Sequence, residues 1–185
     1  MRKLILFMGP PGLSIRNIAS QLLRYVNSEV SMLSIEPFNK KNKLYSIEEY
    51  FDELAEFSER LTHTVSDSNE DELIIVNGFF ITIEERMYID NAIKRASYKI
   101  DKKYGVWIED IGSELFKIAN KKNISNELFH YLFERRSSPK DKEGYKDIYY
   151  ISNLLDIGTS KHFSSIYETK DLLAILGKEC SNYEN

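Results

Sequence analysis

The sequence predicts an α/β fold in which a mainly parallel, five-stranded sheet is covered by helices on both faces. Three observations carry that expectation. Short apolar runs of buried-strand length recur along the chain, amphipathic helical patterns separate them, and a glycine-proline turn follows the first run directly. The runs fall at Lys3 to Met8, Val30 to Ile35, Leu73 to Val76, Gly105 to Ile108 and Asp147 to Ile151. Their length is that of a buried parallel strand. Helices between parallel strands act as crossovers.

Between the runs, Ile15 to Val26 places Ile15, Ile18, Ala19, Leu22, Leu23 and Val26 on one helical face. Ser46-x-x-Glu49 has the form of a capping box and opens a helix that turns Tyr50, Phe51, Leu54, Phe57 and Leu61 inward. A further helix is expected from Ile83 to Tyr98, with Met87, Ile89, Ala92, Ile93 and Ala96 on its buried side. Shorter helices fit Ser113 to Ala119 and Ser125 to Arg135. Thr64 to Asp71 and Ser137 to Gly144 read as exposed loops, from their polar composition and from Pro139. Ser165 to Leu176 has helical potential, and Ser181 to Asn185 is expected to fray.

With 185 residues, 42% of them apolar and 29% charged, the chain is expected to form one domain over residues 1–185. A net charge of -4 does not favour nucleic acid as a partner. The lone Cys180 cannot form an internal disulfide, and the apolar run near Met1 is too short for a signal sequence or membrane span. A cytoplasmic protein with no membrane association is the expectation. His63, His130 and His162 lack the spacing of a zinc site or a nucleophile-base pair, so no metal site is expected. Phe79, Phe80, Tyr149 and Tyr150 flank strand ends and are expected to pack in the core or at the sheet edge rather than stack on bases. Arg135 and Arg136, with Lys140 and Lys142, are read as a helix C-terminal cap interaction and a solvated loop rather than a phosphate clamp.

The turn after the first run reads Gly9-Pro10-Pro11-Gly12-Leu13-Ser14-Ile15-Arg16. In a working G-x-x-x-x-G-K-[ST] loop the backbone amides cradle phosphates, the lysine reaches the β and γ phosphates and the hydroxyl residue holds Mg²⁺. Here Ser14 stands for the second glycine, Ile15 for the lysine and Arg16 for the hydroxyl residue. Losing the charge-assisted contact of that lysine costs on the order of 2–5 kcal/mol. A guanidinium in place of the hydroxyl repels a divalent cation rather than binding it. Arg16 also lies about 100° around the helix from its predecessor, so it does not point where the lysine would. Three readings of the loop stand: a turn that meets no nucleotide, a reduced anion site using the amides of Leu13 to Arg16, and an active nucleotide site.

Four collinear stretches carry a resemblance: KLILFMGPPG, LIIVNGFFITIEERMYI, VWIEDIGSELFKIANKK and ISNELFHYLFERRSSPKDKEGYKDIYYI. Together, over Met1 to Ile151, they resemble the small P-loop kinases related to the kinase domain of bacteriophage polynucleotide kinase and to zeta-toxin-like enzymes. The resemblance implies a three-layer P-loop NTPase-like fold, with residues 152–185 as a C-terminal helical extension. It also implies that Gly9, Pro10, Pro11, Gly12, Leu13, Ser14, Ile15 and Arg16 form the cofactor-binding loop. Asn77 stands where the family often has an aspartate, Glu36 is the nearest carboxylate to the expected general base, and the lid arginines fall at about Ile118 and Lys122. Several chemistry positions thus differ together. The sequence reads as a degenerate kinase-like protein, a pseudokinase that binds an unknown protein partner or a small phosphate ligand. The alternative is an active ATP- and Mg²⁺-dependent phosphotransferase on a nucleotide or a nucleic-acid 5′ end, with Glu36 and Lys122 as candidate catalytic residues.

Overall fold

A computed structural model describes residues 1–9, 15–35, 44–108, 124–151 and 173–178. The strands are β1 (Lys3–Met8), β2 (Val30–Ser34), β3 (Leu73–Gly78), β4 (Lys102–Ile108) and β5 (Asp147–Ile151), and all pair in parallel in the order β2-β3-β1-β4-β5. Every residue of β1 and β3 is buried, so the sheet's centre is covered on both faces. The helices are α1 (Ile15–Leu22), α2 (Ile47–Asp67), α3 (Ile83–Arg95) and α4 (Asn126–Glu134), with a helical segment at 173–178. α1 packs on β1 and β3, while α2 packs on α3 and α4.

Local chemistry sets the helix boundaries. Ser46 accepts from the Glu49 amide at 3.2 Å and Glu49 Oε2 accepts from the Ser46 amide at 3.1 Å, which is the expected capping box. Thr82 and Glu85 form a second box at the start of α3, and Ser125 caps α4.

Several boundaries differ from the sequence expectation. α1 ends at Leu22 rather than Val26, because Leu23, Arg24 and Tyr25 close tight turns onto Ser20, Gln21 and Leu22. α2 runs through Thr64 to Asp67, a stretch expected as loop, because buried Val65 extends the Leu54, Phe57, Leu61 stripe by one more turn. α3 ends at Arg95, with Ala96 as its cap, instead of reaching Tyr98. Met87, expected inside, is 55% exposed; the buried side of α3 is Glu85, Arg86, Ile89 and Ala92. β3 extends to Gly78, which places Asn77 within the strand, and β4 begins earlier, at Lys102. The Ser137 to Gly144 loop contains a 3-10 turn at Asp141–Glu143, closed by Gly144 at φ 75. Phe79 and Phe80 are buried, while Tyr149 and Tyr150 lie on the edge strand β5, Tyr149 packed against the core and Tyr150 exposed.

Candidate functional site

In open parallel sheets the ligand crevice lies beyond the carboxyl ends of the strands. Here that edge presents Gly9 after β1, Ile35 after β2, the turn from Gly78, the last residue of β3, through Phe79 and Phe80, and Ile108 at the end of β4. The Gly9 amide donates to the Phe79 carbonyl at 2.9 Å, and the Ile35 amide donates to the Asn77 carbonyl at 3.0 Å. The first glycine of the loop is therefore tied to the turn after β3.

That turn is tightly built. Phe80 has φ 45, in the left-handed region that a bulky side chain rarely adopts. A methyl group on Gly78 would lie 2.3 Å from Ile35 Cγ2 and 2.6 Å from Phe80 Cε2, so only glycine fits. Asn77 is buried and its Nδ2 donates to the Leu33 carbonyl at 3.1 Å, joining β3 to β2.

Of the loop residues singled out by sequence, Gly9, Ile15 and Arg16 are described; Pro10, Pro11, Gly12, Leu13 and Ser14 lie outside the described residues, as do Glu36, Ile118, Lys122, His162 and Cys180. Ile15 is only 5% exposed. A methyl group on Gly9 would lie 3.1 Å from Ile108 Cβ and 3.3 Å from Ile15 Cδ1, so Ile15 and Ile108 close around that glycine. Arg16 is exposed on the first turn of α1. Arg135 caps α4 and lies 4.0 Å over the Tyr131 ring, while Arg136 lies 5.9 Å over Phe133. His63 and His130 are exposed, and no group of acidic, histidine or cysteine side chains fit to hold a metal occurs among the described residues.

Sequence reasoning missed the polar framework behind the turn. Arg86 is fully buried; its Nε and Nη2 donate to Glu143 at 2.6 and 3.1 Å, and its Nη1 donates to the carbonyls of Phe80 and Ser137, both at 3.0 Å. The same guanidinium thus holds the strained turn and the segment that leads to β5. Next to it, the Tyr50 hydroxyl donates to Glu85 Oε1, and the Tyr50 ring stacks on Phe79 at 6.0 Å. The available signal was Thr82-x-x-Glu85, a capping box at the start of an apolar pattern.

Burial pushes the Glu85 carboxyl above its ordinary value of 4.5, against hydrogen bonds from Tyr50 and Thr82 and the charge of Arg86, which lower it. A carboxyl raised on folding holds its proton more tightly in the native state. Its contribution to stability is therefore complete below pH 4.5 and is lost as pH rises through the folded value. Glu85→Gln keeps a cap partner but removes the ionisation. Urea midpoints measured upward from pH 4.5 should fall less steeply for this variant than for the parent; parallel slopes would refute the assignment.

No protein-family model and no curated protein sequence matches the chain. Solved structures do. An unliganded sugar kinase from Janibacter sp. HTCC2649 superposes with a TM-score of 0.58 and 8% identity, covering 97% of this chain and 94% of that one. Kti12 from Chaetomium thermophilum, in complex with ADP-AlF3, gives 0.59 and 10% identity over 92% of this chain and 96% of that one. A fungal RNA kinase gives 0.56 and 15% identity over 96% and 86%. At these identities the likeness concerns architecture, and it agrees with the all-parallel strand order: the chain has the fold of the P-loop kinases.

Proposed function

We propose that this chain is a kinase-fold domain that has given up phosphoryl transfer and serves as a binding or assembly protein, keeping at most a reduced anion site at the start of α1. The observation that carries this reading is Ile15. The position where a working loop has its phosphate-reaching lysine holds an apolar side chain packed beside Gly9 and Ile108, within the core. Asn77 supports it, since its amide is engaged in joining two strands and brings no negative charge for a metal. Backbone amides at the start of α1 and the exposed Arg16 suit a phosphate or sulfate without Mg²⁺.

Arg16 also favours a second reading, an ATP-dependent phosphotransferase in which this cation and Lys122 supply positive charge and Glu36 acts as base. Thermal unfolding with ATP, with and without Mg²⁺, separates the two. A ligand at a hundredfold excess over its Kd stabilises by about 2.7 kcal/mol, which is readily seen as a higher Tm. The pseudokinase reading expects no Mg²⁺-dependent rise at millimolar ATP and no γ-phosphate transfer to nucleosides, nucleotides or 5′ ends. A Mg²⁺-dependent rise accompanied by transfer to any acceptor would establish the second reading instead.

A further inference from the structure

On the helical surface, α2, α3 and α4 enclose a groove of about 350 Å³ lined by Phe51, Glu84, Met87, Tyr88, Asn91 and Tyr131. Phe51 is its aromatic centre: the Tyr131 ring meets it edge-on at 5.8 Å and 82°, and Tyr88 lies at 6.0 Å and 41°. Among the described residues the lining holds one carboxylate and one side-chain amide, and no cation. Tyr131 Oη donates to Glu84 Oε2 at 2.6 Å, and this bond pushes the Tyr131 hydroxyl above its ordinary value. The phenol thus stays protonated while the carboxylate retains acceptor capacity. Met87 and Ile83 leave apolar surface exposed on α3 beside these polar groups.

We propose that this groove receives an arginine side chain presented by an apolar segment of a partner protein. A guanidinium is planar and stacks on aromatic faces, and its fork of donors matches a carboxylate and an amide oxygen. The chain itself provides a precedent, since the Arg135 guanidinium lies 4.0 Å over the Tyr131 ring, outside the groove lining. Phosphate-bearing ligands are disfavoured, because among the described lining residues the charged one is Glu84. Flanking apolar residues of the partner would cover Met87 and Ile83, whereas a free cation would leave them in water. The proposal does not depend on what the phosphate loop binds.

The test uses the full chain labelled with ¹³C at its methionine methyls and titrated with acetyl-Leu-Arg-Leu-amide into the millimolar range. The Met87 resonance should shift and saturate while that of buried Met8 stays in place. Acetyl-Leu-Gln-Leu-amide should bind at least about fivefold more weakly, and Glu84→Gln should weaken the arginine peptide by a similar factor. Glu84 is exposed, so that variant is expected to fold; Asn91→Ala, which should also weaken binding, provides an independent check. The proposal is overturned if Met87 does not saturate, if the glutamine peptide binds equally well, if both variants bind like the parent, or if adenosine shifts Met87 as strongly as the arginine peptide.

Discussion

Replacing Arg86 with methionine should destabilise the protein by about 3–5 kcal/mol, the usual cost of breaking a buried ion pair by removing one partner. The side chain is 1% exposed and that of Glu143 11%, so the carboxylate left behind has little access to water. Two carbonyls, those of Phe80 and Ser137, lose their donor in the same step. The double variant Arg86→Met with Glu143→Met should recover part of the loss, because no unpaired charge remains. Urea unfolding of the two variants and the parent measures both effects. A loss below about 1 kcal/mol for the single variant would mean that the pair contributes no more than an exposed one.

Gly78→Ala should cost about 1–3 kcal/mol through overpacking, and its effect should reach Gly9 after β1. Neither neighbour can yield easily: Ile35 is buried and anchored through its amide to Asn77, and Phe80 is held at positive φ by its surroundings. Relief must come from moving the turn, which carries the Phe79 carbonyl away from the Gly9 amide. Hydrogen exchange at Gly9 should therefore accelerate well beyond the change at β1 residues such as Ile5. Unchanged protection at Gly9 would show that Gly9 and the turn are held independently.

β1 was legible because a strand buried on both faces leaves a continuous apolar run, and its expected bounds match residue for residue; those of β5 match too, although it is a half-exposed edge strand. Helix ends were harder to read. The polar letters of Thr64, Ser66 and Asp67 suggested a loop, although Val65 kept the helical period and decided the outcome through burial. On α3 the error lay in charge. The sequence placed Met87 inside and gave Arg86 no buried role, because the partner that makes its burial affordable, Glu143, lies 57 residues away. The altered loop positions were plain in the sequence, but the closure of Ile15 and Ile108 about Gly9 depends on β4 lying beside β1. The groove was invisible for the same reason, since Phe51 and Tyr131 belong to helices far apart in the chain.

The strand order also shapes how the chain is made. β1 is the central strand, yet its hydrogen-bonding neighbours are β3, which begins at Leu73, and β4, which begins at Lys102. During synthesis Leu4, Ile5, Leu6 and Phe7 must wait for those later segments, at about 5–20 residues per second, as an apolar strand with two open edges. A segment buried throughout in the native protein is thus exposed in the nascent one, and early association with a chaperone would protect it between the emergence of β1 and that of β4.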